Sequence, residues 1–299
     1  MNNQRPEFTD GDQIGKYVIL RLLGKGKLAT MYLAEQQFTK RKVALKFYVR
    51  RDEDFLAVVY RATGLLASMD HPYIIRLFDA DQYEGWFYWV VEYVNGKTLL
   101  NMITAKDSVP TVVVLKLMVD VAEALEYAHQ HGIIHGDIKP PNILVSDKGI
   151  PYLTDFLPLV VVEQKIYEEA VVGSSAYLSP ETWSGKQEPR SDLWSLGMTF
   201  YHLLTGNLPF DDRNLSAIIQ AISSEDPLDL TLLYNTIPQP VSRIIDQCLQ
   251  KDLERRYKSA TEFRRDCEAA LAYFNLQQPE PANGYVMSLR PGTTMMLNV

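Results

Sequence analysis

Residues 133–145 read IIHGDIKPPNILV and combine apolar runs with a cluster of charged and polar side chains. Asp137, Lys139 and Asn142 follow His135 at short offsets, and two prolines separate the lysine from the asparagine. This pattern indicates phosphoryl transfer: the aspartate accepts or orients the proton of an acceptor hydroxyl, the lysine neutralises charge on the moving phosphoryl group, and the asparagine gives an oxygen to a metal ion. The spacing alone is also compatible with a polar turn between two strands, in which Asp137 only caps backbone groups.

The composition indicates a globular protein without electrostatic affinity for nucleic acid. Hydrophobic residues make up 46% of the 299 residues and charged residues 22%, both ordinary values, and the net charge is −7. No apolar run approaches the ~20 residues of a membrane-spanning helix, and the start, MNNQRPEFTDGD, lacks the apolar core of a signal peptide. Cys248 and Cys267 are too few for a disulfide framework and are expected in buried helices. We therefore expect a cytoplasmic protein with no membrane span and no nucleic-acid partner.

The hydrophobic pattern changes character near a predicted turn at residues 95–96. Before it, strand patterns surround one helical pattern at residues 51–70, and two of the strands meet in a turn at residues 84–85. After it, a hairpin is predicted at residues 143–156. The remaining segments have helical spacing and lie at residues 112–131, 191–205, 214–223, 239–250 and 260–275.

This order predicts an α+β fold with a small strand-rich lobe, residues 15–94, followed by a larger helical lobe, residues 95–276. Residues 1–14 are polar and are expected to form a flexible arm. Residues 277–299 are proline-punctuated and without periodicity, so we expect a disordered or partner-bound tail.

Two features before the central loop favour a phosphate site. Gly24 and Gly26 lie in a turn between strands, where glycines let backbone N–H groups approach a phosphate. Further on, Lys46 ends the apolar strand VALK, so its ammonium group needs an anionic partner. A plain turn and a surface lysine on an edge strand are the alternatives.

Asp155 ends an apolar strand thirteen residues after Asn142. Mg²⁺ takes few protein oxygens and completes its shell with phosphate oxygens and water, and this pair would leave room for both. The alternative is a turn or helix-capping aspartate.

Together these segments resemble a eukaryotic-type protein kinase domain of the bacterial serine/threonine class, over about residues 15–275. The matching segments are LGKGKLATMYLA (23–34), VALK (43–46), HGDIKPPN (135–142), DFL (155–157), GSSAYLSPE (173–181), SDLWSLG (191–197) and KDLERR (251–256). Small-molecule phosphotransferases of the aminoglycoside and choline type share the catalytic loop but lack the Ser-Pro-Glu and Asp-Leu-Trp-Ser-Leu-Gly segments. The resemblance therefore implies a bilobal protein kinase fold.

The resemblance also implies ATP and Mg²⁺ as cofactors and a protein serine or threonine as acceptor. It places Asp137 and Lys139 in catalysis and Asn142 and Asp155 at Mg²⁺. The residues it places at ATP are Gly24, Gly26, Met31, Ala44, Lys46, Glu92, Val94 and Leu144. It gives structural roles to His135, Phe156, Glu181, Asp192 and Arg256, and Glu181 and Arg256 are expected to form a buried ion pair.

Four positions depart from the family pattern, and the mildest is Ala29, which replaces the third glycine of the glycine-rich loop. Two of the others concern regulation. Leu157 replaces the glycine of Asp-Phe-Gly and stands beside Pro158, which stiffens the chain. Gly136 replaces the arginine that docks a phosphorylated activation loop, and residues 157–172 contain no serine or threonine, only Tyr167. We expect an activation segment that is set by its own packing and not by phosphorylation.

A fourth departure concerns catalysis itself. Ala62 stands where the family has the helix glutamate that pairs with Lys46. The alternative to an enzyme is therefore a pseudokinase, which uses the fold as a nucleotide-sensing or interaction scaffold. In the tail, Thr293 and Thr294 are candidate self-modification sites.

Overall fold

The computed structural model describes residues 5–49, 52–104, 109–156, 175–210, 215–225, 227, 230 and 237–277. By their internal contacts these residues form two compact units, which meet in the chain between Asn95 and Gly96. The segment with Leu157, Pro158 and Tyr167 and the tail with Thr293 and Thr294 lie outside the described residues.

The first unit is built on a six-stranded antiparallel sheet. Its strands are β1 (Gln13–Ile14), β2 (Tyr17–Lys25), β3 (Ala29–Gln36), β4 (Lys42–Tyr48), β5 (Leu77–Tyr83) and β6 (Trp86–Glu92). Their order in the sheet is β1-β2-β3-β4-β6-β5. The predicted strands and the turn between β5 and β6 are confirmed.

One face of this sheet packs against helix α1 (Glu53–Ala67). The helix begins after Asp52, whose carboxylate accepts a hydrogen bond from the Phe55 backbone N–H at 3.0 Å. Its apolar stripe is buried and consists of Phe55, Val58, Val59, Ala62 and Leu66. The helix predicted from the 51–70 pattern is therefore confirmed.

Residues 5–14 pack on the other face, which carries a cluster of buried side chains from β1, β2, β3, β4 and β6. Pro6 is buried, and the Phe8 ring lies 5.4 Å from Tyr32 and 4.9 Å from Phe47, centroid to centroid. The prediction of a flexible arm is therefore wrong for residues 5–14. The polar composition of this segment did not indicate that its few apolar residues, such as Pro6 and Phe8, would pack against aromatic side chains of the sheet.

The second unit is mostly helical. Among its described residues, the α-helices are α2 (Leu99–Thr104), α3 (Thr111–Gln130), α4 (Pro180–Trp183), α5 (Pro189–Thr205), α6 (Leu215–Ser224), α7 (Gln239–Cys248) and α8 (Ala260–Gln277). A small antiparallel sheet has the order β7 (Gly96–Thr98), β8 (Ile143–Ser146) and β9 (Pro151–Leu153). The hairpin and the longer helices were predicted. The short helices α2 and α4 were not, and Gly96 begins β7 instead of closing a turn.

Helix α5 is the central element of this unit. It begins at Pro189 with a capping box between Glu188 and Ser191, two residues before the predicted start, and ends at Gly206 in the left-handed conformation with φ 72°. Cys248 and Cys267 are both buried in helices, as predicted. Among the helices that the described ranges contain, none is both long and apolar enough to cross a membrane.

Candidate active site

The loop from His135 to Asn142 brings its polar groups together around one carboxylate. Lys139 Nζ lies 2.7 Å from Asp137 Oδ2. Asn142 Nδ2 donates to Asp137 Oδ2 and to the Asp137 carbonyl, both at 2.8 Å. The turn Pro140–Asn142 makes this possible, since its two prolines restrict the backbone between the lysine and the asparagine. The three residues predicted for catalysis and metal binding in this loop are therefore in direct contact.

Asp192, in the first turn of α5, fixes the backbone of this loop. Its Oδ2 accepts a hydrogen bond from the His135 N–H at 2.9 Å, and its Oδ1 accepts one from the Gly136 N–H at 2.8 Å. The Asp192 side chain is buried, and His129 Nε2 lies 2.8 Å from its Oδ2. The carboxylate thus has three partners that are distant in sequence, which suits the structural role predicted for it.

Gly136 adopts a backbone conformation that favours glycine, with φ +79°. A Cβ atom at this position would lie 2.7 Å from Nε2 of Gln187. The residue that replaces the family arginine therefore fits both the left-handed backbone and the close approach of a neighbouring side chain.

The buried ring of His135 is held as a neutral imidazole. Its Nδ1 accepts a hydrogen bond from the Asp137 N–H at 3.2 Å, and its Nε2 donates to the Thr154 carbonyl at 2.9 Å. Burial lowers the pKa of His135, and it outweighs the opposing effect of nearby carboxylates, chiefly Asp192. The ring packs on Phe156 with centroids 4.4 Å apart. His135 thus connects the catalytic loop to the strand that leads to Asp155.

The two proposed magnesium ligands lie on segments that are bonded to each other. The Asn142 carbonyl accepts hydrogen bonds from the Thr154 N–H at 3.0 Å and from the Thr154 hydroxyl at 3.2 Å. Asp155 follows at once, with φ 62°. An amide oxygen and a carboxylate are the hard oxygen donors that Mg²⁺ prefers, so this donor pair fits the ion.

Glu181 and Arg256 are in contact in the second unit. Arg256 Nη1 lies 2.7 Å from Glu181 Oε1 and Nη2 lies 3.2 Å from Oε2, and the arginine side chain has 0% exposure. Burial alone would raise the pKa of Glu181, but the hydrogen bonds and charge of Arg256, with smaller contributions from Ser179 and Ser191, bring that pKa below its usual range.

The residues of the first unit predicted to contact ATP are placed by strand register. Gly24 pairs with Met31, and Met31 pairs in turn with Lys46, so Met31 and Lys46 point to the same face of the sheet. Ala44 lies two residues before Lys46 on that face. Glu92 ends β6 and Val94 follows it, and in the second unit Leu144 lies on β8.

The comparison with known families decides the identity. A family model described as "Protein kinase domain" matches residues 17–266. The chain belongs to this family. This kinase domain is 35% identical over 263 residues to Serine/threonine-protein kinase PrkC of Bacillus subtilis, a match that covers 86% of this chain and 40% of the relative. It is 32% identical over 273 residues to Serine/threonine-protein kinase PknB of Mycobacterium leprae, with 87% of this chain and 43% of the relative covered.

The kinase domain spans about two fifths of the length of these curated relatives. A solved structure of Rad53 1–466 in complex with AMP-PNP matches it with a TM-score of 0.72 and 26% identity, over 84% of this chain and 64% of that one. These matches confirm the predicted bacterial serine/threonine kinase class and the α+β kinase fold.

Sequence reasoning missed several side chains that support the site. His129 contacts Asp192, which holds the catalytic loop, and the side chain of Gln187 lies close to Gly136 of that loop. In the first unit, Trp89 and Thr63 form a hydrogen bond beside Lys46. Lys46 on β4 pairs with Trp89 on β6, so a correct alignment of these two strands would have predicted that the tryptophan lies beside the lysine.

Proposed function

We propose that this kinase domain transfers the γ-phosphoryl group of Mg-ATP to a serine or threonine hydroxyl of a protein. The observation that carries the proposal is the contact set of Asp137, with Lys139 Nζ at 2.7 Å and Asn142 Nδ2 at 2.8 Å. The names of the relatives PrkC and PknB, both serine/threonine-protein kinases, support the same reaction.

Asp137 would orient the acceptor hydroxyl and take its proton. Among the described residues, the side chains of Lys139 and Asn142 both contact Oδ2 of this carboxylate, and Oδ1 would accept a hydrogen bond from the substrate hydroxyl. Lys139 would offset the negative charge of the transferred phosphoryl group, since its ammonium is fixed beside the point of attack.

Asn142 and Asp155 would hold Mg²⁺. The ion, when bound, neutralises charge on the ATP phosphates. The Asn142 amide nitrogen already donates its two hydrogen bonds to Asp137, so its side-chain oxygen is the atom that would face the ion. The contact of Thr154 with the Asn142 carbonyl supports a fixed spacing between the two ligand-bearing segments.

Lys46 would bind the ATP phosphates, and the backbone of the turn at Gly24 and Gly26 would cover them. Met31, Ala44 and Leu144 are the residues that the family resemblance assigns to the adenine ring. Its polar edge would bond to the backbone of the 92–94 segment, from Glu92 to Val94.

We further propose that activity does not require phosphorylation of the activation segment. In the described part of the catalytic loop, Asp192 holds the Gly136 backbone, and no arginine is present at this position to dock a phosphate. A phosphate on Tyr167 or elsewhere in residues 157–172 that proves necessary for activity would contradict this.

The decisive experiment is incubation of the protein and candidate protein substrates with Mg-ATP, followed by mapping of phosphorylated residues by mass spectrometry. We expect phosphoserine or phosphothreonine with the unaltered protein and a loss of about 10²–10⁴-fold in rate with Asp137→Asn, a range typical of a general acid–base group. Equal phosphorylation by the two proteins would refute the proposal.

Ala62 is the observation that favours the alternative, a pseudokinase scaffold, because it brings no carboxylate to the helix position that normally serves Lys46. Binding of ATP without transfer to any protein would support that alternative. We propose a cytoplasmic location, which the two free, buried cysteines support. A protein partner for the 277–299 tail is a further proposal, and the charge of −7 argues against nucleic acid.

A further inference from the structure

The surroundings of Lys46 differ from what the family pattern predicts. Ala62 lies on the buried face of α1 and is 1% exposed, and Lys46 on β4 is 5% exposed. A lysine ammonium that is buried to this extent is held by its neighbours and not by water. Because position 62 carries only a methyl group, the helix does not orient the amine from that position.

Two aromatic rings lie beside the amine. Lys46 Nζ is 5.5 Å from the centre of the Tyr48 ring and 5.8 Å from the Trp89 ring. Tyr48 is two residues further along β4 on the same face, and Trp89 is the direct partner of Lys46 on β6. The rings meet edge to face with centroids 5.1 Å apart, so each restrains the other. Both distances are within the range in which a cation is attracted to an aromatic ring.

Helix α1 fixes one of these rings through the residue after Ala62. Trp89 Nε1 donates a hydrogen bond to Thr63 Oγ1 at 2.7 Å, and the Thr63 hydroxyl donates to the Val59 carbonyl at 2.7 Å. The indole is therefore anchored to the helix backbone. A change in the position of α1 would move Trp89, and Trp89 in turn borders Lys46.

We infer that Tyr48 and Trp89 position Lys46 for the ATP phosphates, and that the Thr63–Trp89 hydrogen bond provides the link between helix and lysine that a glutamate provides elsewhere in the family. This inference rests on the proposed function, since it concerns the lysine that would bind ATP. The rings are neutral, so they orient the ammonium without cancelling the charge that it offers to phosphate. Tyr48, Trp89 and Thr63 are positioning residues: they would not contact ATP themselves and would act on it only by orienting Lys46.

The test compares variants that keep a ring with variants that remove it. Trp89→Leu and Tyr48→Leu should each lower kcat about ten-fold and change the KM for ATP much less, because misorientation of the lysine affects the transition state more than binding. Tyr48→Phe, which keeps the ring, should recover most of kcat. Trp89→Phe keeps a ring but loses the indole N–H that bonds Thr63, so its kcat should lie between those of Trp89→Leu and the unaltered protein. Thr63→Val, which keeps the side-chain shape but removes the hydroxyl, breaks the same hydrogen bond and should lower kcat about as much as Trp89→Phe does.

Phe47→Leu is the matched control for loss of a buried ring. Phe47 has 0% exposure and neighbours Lys46 on β4, but its ring belongs to the cluster on the opposite face of the sheet. It should lower the melting temperature as the other leucine variants do and keep kcat at temperatures well below melting. If Trp89→Leu and Tyr48→Leu match Phe47→Leu in kcat, or if the phenylalanine variants are as slow as the leucine variants, the inference is overturned.

Two further measurements separate this inference from the proposed function. In an Asp137→Asn background, where transfer is expected to be about 10²–10⁴-fold slower, labelling of Lys46 by an acyl-phosphate derivative of ATP is followed by mass spectrometry. Labelling with acetic anhydride alone needs no nucleotide. We expect Trp89→Leu to change both labelling rates of Lys46 about three-fold or more relative to Phe47→Leu, Trp89→Phe to change them less, and Tyr48→Phe to remain near the unaltered protein. Unchanged labelling would refute the positioning role even if the protein proves to be an active kinase.

Discussion

At the scale of single residues, the catalytic loop depends on a glycine in a conformation that other residues resist. Gly136 combines φ +79° with a backbone N–H that donates to Asp192. In the family pattern an arginine stands here. The exchange of arginine for glycine therefore changes more than a charged side chain, because the backbone at position 136 has a positive φ that favours glycine.

We predict that Gly136→Ala lowers the free energy of unfolding by more than Gly132→Ala does. Both glycines have positive φ, which costs alanine about 1–2 kcal/mol. A Cβ at Gly132 meets nothing within 4 Å, whereas one at Gly136 lies 2.7 Å from Nε2 of Gln187, so the extra cost at Gly136 is only that of moving the end of a flexible side chain. Urea denaturation with both variants measures the difference. Only Gly136→Ala should also reduce kcat, and equal effects of the two substitutions on stability and rate would contradict this reading.

The neutral state of His135 predicts a pH dependence of stability. Because burial lowers the pKa of His135 in the folded protein, the unfolded chain binds more protons below about pH 6.5, the usual histidine pKa. Stability should therefore fall as the pH drops from about 6.5 towards 5, and this contribution should be complete above that range. Melting temperatures between pH 5 and pH 8 should show a steeper slope for the unaltered protein than for His135→Leu. Parallel curves would rule out His135 as the source.

At the scale of elements, residues 5–14 behave as part of the first unit. Tyr32 connects them to β3: its hydroxyl donates to the Pro6 carbonyl at 2.9 Å and accepts from the Phe8 N–H at 3.1 Å. Arg5 Nη1 donates to the carbonyl of Gly26 at 2.6 Å, so the segment also reaches the glycine turn. The segment therefore covers one sheet face while α1 covers the other.

We predict that Phe8→Ala destabilises the protein by about 1–3 kcal/mol, less than the loss of a fully buried phenylalanine, because the ring is only partly buried. The control is Phe38→Ala, which removes a ring that is 83% exposed and should change stability by no more than about 0.5 kcal/mol. Thermal or urea unfolding of both variants is the measurement. An equally small effect of both would show that the segment contributes no stability.

At the scale of the whole molecule, the chain contains two compact units, each with its own buried core. In the first, aromatic and aliphatic side chains together form the buried faces of the sheet. In the second, α5 is buried along most of its length and its Asp192 supports the catalytic loop. Ligands that bind the folded protein will raise its stability by mass action.

We predict that Mg-ATP at 100 times its dissociation constant stabilises the protein by about 2.7 kcal/mol. For a chain of 299 residues that corresponds to a rise of roughly 4–5 °C in melting temperature. Removal of Mg²⁺ with EDTA should abolish most of the rise, and so should Asp155→Asn, which exchanges a carboxylate ligand for an amide. A rise that is independent of both Mg²⁺ and Asp155 would show that Asp155 does not bind the metal.

The sequence by itself determined the family, the order of the longer strands and helices, and the residues of the catalytic loop. These features depend on hydrophobic periodicity and on spacings of a few residues, and both can be recognised directly in the sequence. The cluster of Asp137, Lys139 and Asn142 is an example, because these residues are near one another in sequence and the turn at Pro140 brings their side chains into contact.

Only the tertiary structure decided which distant groups support them. Asp192 reaches the loop across more than fifty residues, Trp89 reaches Thr63 across 26, and the segment around Phe8 docks on Tyr32 and Phe47. Such contacts leave no local pattern, since the partners are chosen by the packing of whole elements and by the need to pair each buried polar group.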